Sequence, residues 1–226
     1  MHRRLFPAAA AIGAALLLPS AAHAQVIEIG QTSQPATPSC PTDCFAVTRT
    51  TGYQSKIGGP KGGFMMVRQD GRIVAWSISL GNPSKKQISF FNKYVNGAAM
   101  AQITILQPGK QWNQRVVAQG EPQQLAPYFG TTPQFALRRS IPVKKGQLIA
   151  LTVPTWAPAL TSSVGESIEW RGSRKKGTCE DTLAHAEQTR VNATAQYYCV
   201  YKARLTYSAT LIPTPKTNVT PPKSKT

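Results

Sequence analysis

The sequence predicts an all-β fold, an antiparallel β-sandwich of jelly-roll type with about eight to ten strands. Three observations predict it. Apolar residues recur at every second position rather than every third or fourth, most clearly where Val74, Trp76, Ile78 and Leu80 alternate with Ala75, Ser77 and Ser79. Turn residues punctuate nearly every gap between such segments, as at Gly81-Asn82-Pro83, Pro108-Gly109 and Lys145-Gly146. The chain is 41% hydrophobic and only 15% charged, a composition that supports one sizeable core without being membranous.

Residues 1–24 read as a secretory signal peptide. His2, Arg3 and Arg4 form a basic start, residues 8–18 an apolar run, and Ala22-His23-Ala24 a small-x-small exit before Gln25. The run is about 11 residues where roughly 20 are needed to span a bilayer, so the mature chain is expected to be secreted without transmembrane anchoring. Residues 25–44 form an N-terminal segment and linker, with a short strand at 26–29. Residues 45–212 form the sandwich. Residues 213–226, rich in Pro, Thr and Lys, form a tail that cannot bury a core and is expected to be disordered.

Within the sandwich, residues 64–68 are expected to pair with 74–80 across the Asp70-Gly71 turn. Further strands are expected at 88–94, 101–106, 115–119, 134–139, 147–153 and 167–170, and one long or two short strands at 196–212. The single helical candidate is 179–189, where Asp181, Leu183, Ala184, Ala186 and Glu187 support one or two turns.

Four cysteines, Cys40, Cys44, Cys179 and Cys199, suit disulfides in an exported chain. Proximity favours Cys40 with Cys44 and Cys179 with Cys199, although the crossed pairings remain open. Neither pair has Cys-x-x-Cys spacing, which argues against zinc, and no other metal or cofactor motif is present.

Charge narrows the partners. The chain carries 26 Lys+Arg against 9 Asp+Glu, and without Arg3 and Arg4 the balance is 24 against 9, or +15. Such a field favours anionic partners outside the cell: wall polymer, acidic polysaccharide or phospholipid surfaces. Aromatic residues are not interleaved with any basic run, so no specific nucleic-acid partner is expected.

Several stretches carry a resemblance: Cys40-Pro-Thr-Asp-Cys44, Thr50-Thr-Gly-Tyr53, Gly71-Arg-Ile-Val-Ala-Trp76, Pro142-Val-Lys-Lys-Gly146 and Leu151-Thr-Val-Pro-Thr-Trp156. Over most of the mature chain these resemble a set of uncharacterised exported β-sandwich proteins of high-GC soil bacteria. The resemblance implies a secreted β-sandwich and carries no activity with it. The Lys-Gly turn before Gln147-Leu-Ile-Ala-Leu151 is similar, more loosely, to the penultimate strand of many jelly-roll modules that bind sugars or other proteins.

Catalytic material is thin. With His2 and His23 lost, His185 is the one histidine on which a Ser/His/Asp or Cys/His site would have to be built, and no Gly-x-Ser-x-Gly elbow is present. Hydrolysis of a polysaccharide needs two carboxylates across a sugar. Glu166 and Glu169 are close in sequence, but their odd separation puts them on opposite faces of a strand. Binding surfaces offer more. Lys144-Lys145 and the Arg171, Arg174, Lys175 and Lys176 cluster lie at predicted turns and make a cationic rim if the turns gather at one end. Trp112, Trp156 and Trp170, with Tyr128 and Phe129, fall in or beside loops, where they either cap the core or present flat faces to sugars. The sequence therefore predicts a secreted, non-catalytic extracellular or wall-associated module. Its expected ligand is an anionic polymer held by those six basic residues; the rival readings are a carbohydrate-binding module using Trp156 and Trp170, and a wall hydrolase.

Overall fold

The computed structural model describes residues 25–33, 36–58, 63–161, 164–181 and 185–215. The first half of the chain forms β1 (Ile27–Ile29), β2 (Val47–Ile57), β3 (Gly71–Ile78), α1 (Lys85–Tyr94), β4 (Met100–Pro108), β5 (Asn113–Gln119) and β6 (Gln123–Gln124). The second half forms β7 (Gln134–Val143), β8 (Leu148–Ala157), β9 (Leu160–Thr161), β10 (Ile168–Gly172), β11 (Thr194–Gln196), β12 (Cys199–Tyr201), β13 (Arg204–Leu205) and β14 (Tyr207–Pro213).

One sheet has the strand order β1-β14-β3-β7, and the other runs β11-β5-β4-β8-β2-β10-β12 with β6 beside β4. Every pairing is antiparallel. Eight strands, β1 to β5, β7, β8 and β14, switch sheets at every step except the β4–β5 hairpin, the order that two interlocked Greek keys produce. The architecture is therefore an antiparallel jelly-roll sandwich, as its alternating pattern predicts. The stretch between β8 and β14 adds β10 and β12 to one edge of the larger sheet and β11 to the other, and its β9 and β13 pair in a separate two-stranded sheet.

One face of the larger sheet carries Ile103, Ile105, Ile149, Leu151 and Val153, all buried. These join the core with Ile73, Trp76, Ile78 and Phe135 of the smaller sheet. Trp76 packs against Phe135 with ring centres 4.9 Å apart, and the Tyr207 hydroxyl crosses between sheets to donate to the Ile149 carbonyl at 3.0 Å. In β3 the strict alternation slips by one residue. Ala75 and Ile73 oppose the consecutive residues Thr210 and Leu211, so Val74 bulges out and Ile73 takes the fully buried place.

The opposite face of the larger sheet is polar yet buried. Thr152 lies between Thr51 and Thr104, hydroxyl to hydroxyl at 2.9 and 2.7 Å. Gln188 covers this row, its N–H donating to Thr51 Oγ1 at 2.9 Å and its Nε2 to the Ala193 carbonyl at 2.9 Å. The Tyr197 hydroxyl donates to Gln188 Oε1. This face is concave. β11 and β12 stand at opposite ends of the strand order, yet only Tyr197 and Tyr198 separate them in the chain. Two intervening residues reach about 11 Å at most, so the sheet curls until its two edges nearly meet.

Three local expectations are corrected. Residues 88–94 belong to α1, not a strand: Ser84 and Gln87 form a reciprocal capping box, and Phe91 stacks on Trp156 from the helix's inner side. Residues 64–68 do not pair with β3, whose two edges are taken by β14 and β7; instead Met66 bridges to Leu148 and the Val67 N–H donates to Gln147. No helix forms among the described part of 179–189, because its backbone is spent on the concave face, Ala186 donating to Arg49 and Gln188 to Thr51. The cysteines pair as proximity favours, Cys40 with Cys44 and Cys179 with Cys199. The expected signal peptide at 1–24 and the tail beyond residue 215 lie outside the described residues; Pro213, placed with the tail, closes β14.

Candidate functional site

Antiparallel order gives the sandwich two ends. At one, β2 and β4 finish while β8 and β10 begin, and a cleft of about 490 Å³ opens on the concave side between them. That volume lies within the usual range for ligand pockets. Tyr53, Met65, Met66, Pro108, Trp112 and Leu148 form mostly apolar walls, and Gln54, Ser55, Lys56, Gln114, Glu169 and Arg171 supply polar groups.

The tight connection from β4 to β5 places Trp112. Gln111 and Trp112 both adopt left-handed backbone, with φ of 53° and 64°, which non-glycine residues avoid. The conformation is held by Gly109 donating to the Asn113 carbonyl at 2.8 Å and by Tyr197 donating to the Trp112 carbonyl at 2.9 Å. The indole is left 48% exposed at the mouth. Arg171 comes from β10, where it stands opposite Tyr53. Its guanidinium carbon lies 3.6 Å from the centre of the Trp112 ring, and Nη1 donates to the carbonyls of Tyr197 and Tyr198 at 3.1 and 3.2 Å. Arg171 and Trp112 thus clasp the two sides of the curled sheet.

Tyr53 and Tyr197 pack together with ring centres 5.6 Å apart. Burial pushes the Tyr53 hydroxyl's pKa above its ordinary value, opposed by the charge of Arg171 and by the Gln114 amide. Gln114 is almost wholly buried, and its Oε1 has no hydrogen-bond partner among the described residues. At the outer wall, the Glu169 carboxylate receives the Lys202 ammonium at 2.8 Å, and the same ammonium reaches Glu166 at 3.0 Å. Hydrogen bonds from Lys202 to Glu169 and Glu166 raise its pKa.

The predicted basic residues do not all converge. Arg171 is in the cleft. Lys176 sits beside it: its Nζ lies 5.9 Å from the Tyr198 ring centre, and its N–H donates to Gln196, whose amide reaches Gln111. Lys175 is exposed in the same loop. Lys144 and Lys145 also lie at the cleft end, but both bind Asp70, through Nζ and the backbone N–H at 2.9 Å each. Those bonds, Lys144's first, lower the Asp70 pKa. Arg174 points away, to the Tyr201 hydroxyl at 3.3 Å.

The two tryptophans assigned to sugar binding are core residues. Trp156 is fully buried, stacked on Phe91 at 4.7 Å, with Nε1 donating to Asn92 and the Gly97 carbonyl. Trp170 is 6% exposed and stacks on Tyr201 at 4.6 Å. Both sit on strands, β8 and β10, rather than on loops. Tyr53, Lys56 and Gln114 were not singled out by the sequence; Trp112 was, as a loop aromatic with a flat face, and the short Gly109-Lys-Gln-Trp112 turn between two apolar strands is what exposes it.

His185 accepts from Arg49 Nη1 at 2.7 Å. Among the described residues no three His, Cys, Asp or Glu side chains gather as metal ligands, and no helix is long and apolar enough to cross a membrane. No protein-family model, curated protein or solved structure matches the chain. Fold and site together define a jelly-roll sandwich with an aromatic, cationic cleft at one end.

Proposed function

We propose that the chain is an exported, non-catalytic binding module that takes an acidic polysaccharide into the end cleft. The observation that carries this reading is the Arg171 guanidinium lying on the exposed Trp112 ring at the mouth of an apolar-walled cleft. A saccharide ring packs on aromatic and methionine surface, while a carboxylate or sulfate ester on it pairs with Arg171 and Lys56. The unpartnered Gln114 Oε1 is an acceptor for a sugar hydroxyl, and a buried acceptor left unpaired is costly. The cationic rim of the sequence reading is thereby narrowed to Arg171, with Lys175 and Lys176 beside it and Lys144 and Lys145 as a neighbouring basic turn.

The hydrolase reading has less behind it. Glu166 and Glu169 share one lysine on the outer wall instead of facing each other across a cleft.

The test is retention of the mature protein on acidic and neutral polysaccharides at low and high salt, with Arg171→Gln and Trp112→Ala alongside. Salt-sensitive retention on acidic material that both substitutions weaken supports the reading, because exposed charge contacts are screened. Retention indifferent to both substitutions refutes it.

A further inference from the structure

We propose that the end of the sandwich opposite the cleft docks on an anionic phospholipid bilayer through α1. The inference is independent of the cleft. α1 has no fully buried residue, no acidic residue in its first turn and a lysine in its last. Lys86, Phe90 and Tyr94 follow at four-residue spacing and so form one outward stripe, with Lys85 and Lys93 beside it. Phe90 is 55% and Tyr94 58% exposed, among the most exposed large apolar side chains described. Their ring centres are 5.0 Å apart, and the Lys93 ammonium lies 5.1 Å from the Tyr94 ring centre.

The helix is rigidly seated, so the exposure is not that of a loose segment. Its inner side stacks Phe91 on Trp156, its capping box is complete, and Gln87 donates to the Pro41 carbonyl of the Cys40–Cys44 loop. The aromatic character extends across this end of the sandwich. Phe45 precedes β2 and is 51% exposed; Tyr128 lies in the loop before β7 and is 40% exposed. The Cys40–Cys44 loop adds one carboxylate, Asp43, against the three lysines of α1.

Charge and shape select the occupant. A second copy of the chain, paired about a two-fold axis, sets lysines against lysines. A sugar ring prefers a flat platform with hydrogen-bonding neighbours, and the Phe90 and Tyr94 planes are tilted by 47°. A bilayer suits both features: aromatic rings settle at the boundary of headgroups and acyl chains, while lysines extend to anionic headgroups.

The test is sedimentation of the mature protein with vesicles of phosphatidylcholine alone and of phosphatidylcholine with one-third phosphatidylglycerol. The protein is expected to sediment with the anionic vesicles and not the neutral ones. Phe90→Ser with Tyr94→Ser is expected to weaken this at least tenfold (about 1.4 kcal/mol) with Tm unchanged, since both rings are exposed. Lys86→Glu with Lys93→Glu acts in the same direction. Absence of sedimentation with anionic vesicles at low salt overturns the proposal, as does full binding by the serine pair. Dimerisation or polysaccharide retention that the serine pair abolishes, without vesicle binding, assigns the surface to those partners and also overturns it. Loss of vesicle binding in Arg171→Gln places the lipid contact at the cleft and has the same consequence.

Discussion

Arg171 and Trp112 meet face to face, 3.6 Å from guanidinium carbon to ring centre, although one belongs to β10 and the other to the turn between β4 and β5. Strands β8 and β2 lie between β4 and β10 in the sheet, so the contact exists only because the sheet curls. Replacing Arg171 with Gln removes the stacked charge and its bonds to Tyr197 and Tyr198. Affinity for acidic polysaccharide is expected to fall about tenfold, the equivalent of about 1.4 kcal/mol, with retention on a column as the readout.

Trp156→Ala is expected to lower stability by about 3–5 kcal/mol, because it opens a cavity under α1 and strands the Asn92 side chain and Gly97 carbonyl. Denaturant unfolding measures it. A near-neutral result would return Trp156 to the surface.

Thr152 joins two other buried hydroxyls, and Thr152→Val keeps its shape while taking one hydrogen bond from each; Thr51 retains the Gln188 N–H and Thr104 the Gln119 amide. A loss of about 1–3 kcal/mol is expected for the two buried hydrogen bonds removed. Equal stability of the variant in urea titration would contradict the description of this face as a connected network.

Burial raises the pKa of Tyr53 and, further, those of Tyr197 and Tyr207. An unfolded tyrosine loses its proton near pH 10, while these three hold theirs longer in the folded chain. Their contribution to stability is therefore complete below about pH 10 and disappears as pH rises through the folded-state values. Tyrosinate absorbance from Tyr53, Tyr197 and Tyr207 is expected only above about pH 10, together with loss of near-ultraviolet dichroism. Ionisation of these three near pH 10 with the fold intact would be inconsistent with their burial.

The Cys179–Cys199 bridge closes a separation of 20 residues. Replacing both cysteines with serine is expected to cost about 3 kcal/mol in the chain-entropy account, read as a shift in the urea midpoint. A shift within error would locate the stability of the β10–β12 edge in its hydrogen bonds alone.

The sandwich was legible wherever a strand puts an apolar face on the core, as in β4, β5, β8 and β14. β2 was not, because its Thr50-Thr51-Gly52-Tyr53 stretch serves the polar concave face and a close approach. A Cβ on Gly52 would stand 2.7 Å from the Trp170 ring, and the β-favouring threonines of the strand carry no apolar alternation, so hydrophobic periodicity does not mark it. α1 was misread because Ile88, Phe90 and Phe91 have strand-like composition, while the Ser84-x-x-Gln87 box after Pro83 carried the helix signal. Arg171 was legible as one of a basic cluster. Trp112 was legible as a loop aromatic but not as the partner of Arg171, since no local pattern reports that two edges of one sheet return to each other.

β8 runs from Leu148 in the cleft wall to Trp156 beneath α1. Eight steps at about 3.3 Å make this a strut of on the order of 26 Å, buried along most of its length in the middle of the larger sheet. A polymer held at one end and a lipid surface met at the other would be kept at a fixed stand-off by a single hydrogen-bonded strand, with no hinge between them. Each contact would then raise the effective concentration of the other without any change of shape, the strand acting as a rigid spacer between polymer and lipid.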